Sequence, residues 1–240
     1  MNLLAFDTST ESMSIAVLRH GQVMPWHDTA PGGALTSTQL IPRIQALMAQ
    51  AGLRLERLDA VVFGAGPGSF TGLRSACAVA QGLAFGAGVP VLPVNTLLAI
   101  AEEARWQLGR GDGFEVTALL DARMDEMYAQ RYFYESSLWT CIKGCSLIKP
   151  EDLSETTNPD ERHLILAGNV FEVYGARLPV ALQQRVPALP TAAALLRLAP
   201  GLLAQGAAVP AAQALPTYVR NKVAQTTLER AAIKLAGAVR

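Results

Sequence analysis

Charge is what this sequence has least of. Only 17% of its 240 residues are charged, 20 basic against 20 acidic, giving no formal net charge. An ordinary soluble domain carries about 25%. A chain so balanced does not grip nucleic acid by charge alone. Half the residues are hydrophobic, which excludes a disordered tail protein. The three cysteines, Cys77, Cys141 and Cys145, are too few for a disulfide framework and point to a reducing compartment. The three histidines, His20, His27 and His163, show no zinc spacing. Two long stretches lack charge altogether, Ser75 to Ala101 and Leu198 to Val219. Glycines and prolines break both, so neither is expected to cross a membrane. No basic residue precedes Asp7, which argues against a signal peptide and for a cytoplasmic protein. A mean hydropathy of +0.24 without a membrane span means that apolar surface is covered by something outside the chain.

What is present alternates between strand and helix. Leu3–Asp7 reads as a strand ending in the polar turn Asp7-Thr8-Ser9-Thr10, and strands over 13–18 and 23–27 follow. Helical spacing takes over from Thr38 to Ala51, with Leu40, Ile41, Ile44, Leu47 and Met48 on one face. Thr38 suits the cap, placing Pro42 in the first turn. A buried strand over 60–63 leads through the glycine-rich loop 64–72 into a helix from about Leu73 to Phe85. A strand over 91–94 and a helix over 96–107 close the first half. The second half opens alike: a run over 116–121 ending in Asp121, strands over 127–134 and 138–148, a short helix over 150–155, a strand over 163–167, and helices over 169–176 and 191–205. Asp7 and Asp121 match at an offset of 114, which also superposes Met13 on Met127, so the halves read as a duplicated fold. The hinge is expected at Gly109–Gly113. The domains are then 1–108, 109–224 and a basic tail over 225–240.

The candidate chemistry is sparse. Gly66, Gly68 and Ser69 lie where a strand feeds a helix, so amides there can cradle an anion or simply form a tight connection. Neither the Walker spacing nor the dinucleotide spacing is present. Asp7, Thr8, Ser9 and Thr10 can meet phosphate or Mg²⁺, or form an ordinary hydrogen-bonded turn. The second turn, Asp121 to Glu126, carries two extra acids that would repel phosphate. Cys141 and Cys145 have no completing pair and read as strand residues. There is no Gly-x-Ser-x-Gly elbow. No catalytic residue and no metal ligand are assigned. Within the 73–86 helix the stretch from Ser75 to Gly86 is small-sided and uncharged all round, so it is buried on several faces, by its own domain or by another subunit.

LLAFDTST at the start, GPGSFTGLR at Gly66–Arg74, VNTLLAIA at Val94–Ala101, DARMDEMYAQ at Asp121–Gln130 and PTYVRNKVA at Pro216–Ala224 together resemble the TsaB (YeaZ) family over nearly the whole chain. One departure is Thr36-Ser37-Thr38, where that family often has His-Ser. The resemblance implies an α/β, actin-like (ASKHA) fold of two tandem ribonuclease-H-like lobes. It implies a non-catalytic subunit in forming threonylcarbamoyladenosine (t6A) beside the tRNA anticodon, with TsaD as the transferase and the TsaC product met only indirectly. Its partners would be TsaD, through the first-lobe helices, and TsaE, with tRNA reached indirectly. The interface would use Leu40, Ile44, Leu47 and Met48 with Leu73, Ala76, Ala80 and Leu83, and the same surface would self-pair as a homodimer without TsaD. No cofactor is required, and ATP or ADP at the inter-lobe cleft would be weak or regulatory. Two other readings stand beside this one. One is an actin-fold phosphotransferase using Asp7 and the glycine loop on ATP. The other is a metallopeptidase, after the older glycoprotease label.

Overall fold

The computed structural model describes residues 1–153, 164–178 and 184–220. The first sheet has the order β3-β2-β1-β4-β5, with β1 (Leu3–Asp7), β2 (Ser12–Leu18), β3 (Trp26–Pro31), β4 (Ala60–Gly66) and β5 (Val91–Asn95). β1, β2 and β3 form an antiparallel meander, while β4 runs parallel to β1 and β5 parallel to β4. The second sheet repeats this plan as β8-β7-β6-β9-β10, with β6 (Phe114–Arg123), β7 (Glu126–Glu135), β8 (Leu138–Ile148), β9 (Leu164–Gly168) and β10 (Gln184–Pro187). Its strand directions match those of the first sheet. Two identical topologies of the ribonuclease-H type in tandem make this an actin-like fold, and the duplication read from the Asp7/Asp121 offset is real.

Every residue of β1 and of β4 is buried because helices cover both faces of the first sheet. Leu4 and Phe6 point toward α1 (Thr36–Gln50) and α2 (Phe70–Ala87). Leu3 and Ala5 point the other way, toward α5 (Ala192–Ala204). α5 thus follows the second sheet in the chain but packs on the first, where the Ala192 amide donates to Ser14 Oγ at 2.9 Å. α3 (Thr96–Leu108) lies between the sheets. Its Leu97, Ile100, Ala101 and Ala104 join the second sheet's core, and Ala99 joins the first's. A short α4 (Phe171–Tyr174) packs at the end of β9. Ser69, Asn95 and Thr191 cap α2, α3 and α5 through side-chain oxygens, each worth about 1 kcal/mol.

Several boundaries differ from expectation for identifiable reasons. β3 begins at Trp26 and not at Val23, which is 92% exposed in the preceding turn; Ala30 is the residue that reaches the core. α1 starts at Thr36 behind a 3-10 turn over Gly33–Leu35, so Pro42 falls in the helix interior rather than its first turn. Pro42 and Thr38 are both on the exposed side, where water can satisfy the carbonyl that a proline N leaves without a donor. α2 begins at Phe70, three residues early, because Ser69 is its cap. The helix expected over 169–176 shrinks to α4, and that over 150–155 appears as a 3-10 turn at Pro150–Asp152. His163 and the basic tail over 225–240 lie outside the described residues. Among the described residues no helix is long and apolar enough to cross a membrane.

Candidate functional site

Four of the five segments that carried the family resemblance, all but Val94–Ala101, converge on one cleft of about 340 Å³ between the two sheets. Ser9, Thr10 and Glu11 form one wall with Gly68, Ser69 and Phe70; Asp121, Arg123, Met124 and Asn169 form the other, and Thr217 to Arg220 cross between them. Of the residues expected to touch a nucleotide, Ser9, Thr10, Gly68 and Ser69 line this space, whereas Asp7, Thr8 and Gly66 do not.

Asp7 is 1% exposed. Its Oδ1 accepts hydrogen bonds from the Ser9 amide (2.9 Å) and hydroxyl (2.6 Å), and its Oδ2 has no partner. Burial pushes this carboxyl up to about 6, against the two Ser9 hydrogen bonds that pull it down. Oδ2 sits 1.7 Å from where a Cβ on Gly64 would be, so β4 closes over the carboxyl. Thr8 is engaged in the same way, its hydroxyl donating to the Gly72 carbonyl at 2.7 Å. A metal or phosphate would have to displace the fold's own contacts to reach either.

The glycines of the loop have the same explanation. A Cβ on Gly72 would lie 1.9 Å from the Thr8 carbonyl oxygen, and one on Gly68 would lie 2.6 Å from Ser9. The Ser69 amide donates to the Ser9 carbonyl at 2.7 Å, and Ser69 Oγ accepts from the Gly72 amide. Of the two readings left open for this loop, tight connection is the one these contacts support. The glycines let α2 start against the backbone of the Asp7–Thr10 turn.

The opposite wall is held by ion pairs. Arg123 reaches across the cleft to Glu11 and also faces Asp121 at 3.4 Å. Asp121 is tied in further by the Tyr174 hydroxyl at 3.0 Å, and burial together with that bond pushes the phenol up to about 12. The β6–β7 turn runs through Arg123, Met124 and Asp125 at φ of 60°, 58° and 65°, an uncommon conformation for three successive non-glycine residues. Arg177 pairs with Asp125 and holds its carboxyl below the usual range. Sequence reasoning missed these pairs. It also missed the buried Glu102, which accepts from Arg105 (2.8 Å), Arg197 (2.9 Å) and Trp139 Nε1 (3.1 Å). An acid inside the apolar α3 and a lone arginine in α5 were the available signals. Among the described residues no group of three His, Cys, Asp or Glu side chains is placed to hold a metal.

The expected interface residues are in the interior. Leu40, Ile44, Leu47, Met48, Leu73, Ala76 and Ala80 are all buried in the first lobe, and Leu83 is half-buried against the same core. The periodic face of α1 was therefore the core face, as amphipathic helices ordinarily present it. What α2 leaves to solvent past its first turn is the other side: Arg74, Ala78, Gly82, Gly86 and Phe85, the last 83% exposed. α1 adds Ile41 at 43%. Beyond Arg74 that surface is apolar and without charge.

The family model described as TsaD, tRNA N6-adenosine threonylcarbamoyltransferase, matches residues 35–238. The tRNA threonylcarbamoyladenosine biosynthesis protein TsaB of Escherichia coli (strain K12) is 32% identical over 228 residues, 93% of this chain and 96% of the relative. Its namesake in Haemophilus influenzae is 34% identical over 231 residues, 93% of this chain and 95% of the relative. The solved structure of YeaZ from Pseudomonas aeruginosa matches with a TM-score of 0.82 at 36% identity, over 91% of this chain and 99% of that one.

Proposed function

The chain belongs to the TsaB family, whose curated relatives are named for tRNA threonylcarbamoyladenosine biosynthesis, and from that membership we propose that it serves t6A formation as an accessory subunit rather than as the catalyst. Its partner is TsaD, docked on the exposed side of α2 with α1, and TsaE joins the pair. The observation that carries this reading is the uncharged face of Ala78, Gly82 and Phe85, since exposed apolar surface of this kind marks association sites. The buried Asp7 and the self-packed glycine loop support a role without phosphoryl transfer. A net charge of zero favours reaching tRNA through partners. Without TsaD the same face pairs two copies as a homodimer. The protein acts in the cytoplasm, downstream of the TsaC product. The division into lobes over 1–108 and 109–224 belongs to this proposal, supported by the change of sheet after β5 and modified by α5, which returns to the first sheet.

Size-exclusion chromatography with and without TsaD, followed by a reconstituted t6A assay, tests it. A complex that forms, together with t6A made only when both proteins are present, is the expected result. Turnover of ATP with an acceptor by this chain alone, abolished by Asp7→Asn, would overturn it.

A further inference from the structure

Two lobes joined by a single linker swing relative to each other by default. Here the chain passes between the sheets more than once: through Gly109–Gly113, again from β10 into α5, and a third time over 214–220. The last passage is anchored on both sides within seven residues. On the first lobe the Ala214 carbonyl accepts from Gln81 Nε2 (2.9 Å) and Cys77 Sγ (3.3 Å), both on α2. The Thr217 amide donates to the Ala65 carbonyl at 2.7 Å, and Gly66 leaves no room for a Cβ because Thr217 O would lie 2.6 Å away. The Tyr218 ring packs tilted against Phe70 with centroids 5.4 Å apart, and its hydroxyl accepts from Arg74 Nε at 3.1 Å. On the second lobe Val219 packs against the core of that sheet. Arg220 pairs with Glu126 at 2.6 Å and donates to the Arg123 carbonyl at 3.1 Å.

We propose that residues 214–220 are an inter-lobe strap that fixes the opening of the cleft and ties α2 mechanically to the second sheet. The strap lies on the cleft side, while the Glu102 cluster binds α3 to α5 and β8 away from the cleft lining. With the Gly109–Gly113 linker, the two tethers join the lobes at separate places, so opening of the cleft is resisted on its own side as well as at the Glu102 cluster. Any narrowing of the cleft has to slide Tyr218 off Phe70 or draw Arg220 from Glu126. The Arg220–Glu126 pair is largely shielded, with side chains 13% and 33% exposed, so water weakens it less than the open Arg123–Glu11 pair at 65% and 78%. The strap touches α2 along Phe70, Arg74, Cys77 and Gln81, so whatever loads that helix is felt at the β6–β7 turn.

The test uses spin labels on the full chain, at Gln45→Cys in α1 and Lys143→Cys in β8, both exposed, with Cys141→Ser and Cys145→Ser so that buried Cys77 is the remaining native thiol. With the strap intact, the distance distribution measured by double electron–electron resonance is narrow. Arg220→Ala with Tyr218→Ala is expected to widen it by about twofold or more, because hinged domains otherwise sample large motions. Glu11→Ala, which removes only the exposed pair, is expected to leave it narrow. Unchanged width in a folded strap variant overturns the proposal, and so does equal widening by Glu11→Ala. Hydrogen exchange on the unaltered protein covers the case of a variant that fails to fold. The Thr217 amide is expected to exchange on the order of 1,000-fold slower than in a free peptide. Exchange within about tenfold of the free rate means that the strap opens locally and fixes nothing.

Discussion

Replacing Gly82 by arginine separates the two faces of α2. Gly82 is exposed, and a Cβ built there meets no atom within 4 Å. Inside a helix, exchanging glycine for a good helix former gains about 0.5–1 kcal/mol. A cation in the carboxyl half of α2 also opposes no charge and suits the helix dipole. At concentrations low enough for the free protein to be monomeric, the variant is therefore expected to melt at the wild-type temperature or slightly above it. In the complex, the guanidinium would sit in an apolar contact where helices approach closely over Ala78, Gly82 and Gly86. Stranding an unpaired charge there costs about 3 kcal/mol, roughly 100-fold in Kd. Ala80→Glu, two residues away, is the contrasting case. Ala80 is 0% exposed in the first lobe's core, so the carboxylate would cost several kcal/mol of folding, on the order of 3 or more. Thermal melts of both variants, with titration calorimetry against TsaD, make the comparison. If Gly82→Arg binds TsaD within about twofold of wild type, the exposed side of α2 is not the docking face.

Three further outcomes follow from the interior. Asp7 has a folded pKa of about 6 against 3.8 unfolded, so between those values the folded state holds the extra proton and stability falls as pH rises. From pH 4.5 to 7.5 this group is expected to remove about 2 kcal/mol, and urea melts of Asp7→Asn should lack that slope; an identical slope in the variant refutes it. Gly72→Ala is expected to lose about 3 kcal/mol or more in the same assay, because its Cβ would lie 1.9 Å from the Thr8 carbonyl oxygen. Glu102→Gln leaves Arg105 and Arg197 facing a neutral amide in a buried site, and a loss of about 3 kcal/mol, near 6–12 °C in Tm, is expected by calorimetry.

The strands and helices near the glycine loop were legible because each carried a local signal, a continuous apolar run in β1 and glycine at the helix ends, whereas the Ser69 cap went unread and α2 was expected three residues late. The direction in which α2 faces was not. Period analysis needs contrast between sides, and a helix rich in alanine and glycine with no charge after Arg74 offers little. Burial there is decided by which small residues meet Leu4, Phe6 and the loop, a tertiary matter. α1 misled in the opposite way, since its clear apolar stripe was its own core face and not a partner's. The cleft was partly legible. Ser9, Thr10, Gly68 and Ser69 were placed at it by their strand ends, but the inward turn of Asp7 depends on Gly64, which lies 57 residues on. The Glu11–Arg123 and Arg220–Glu126 pairs join parts of the chain that only the folded duplication brings together.

The return of α5 to the first sheet bears on how the chain is made. A ribosome delivers the first half before the second, yet the outer face of β1, β2 and β4, with Leu3, Ala5, Ala16 and Val62, stays uncovered until residues 192–204 emerge. Through the synthesis of nearly a hundred residues the nascent chain carries a sheet with one greasy side open. A fragment ending at the Gly109–Gly113 linker would keep that side bare for good, and it should be recovered as aggregate unless the α5 segment is supplied alongside it.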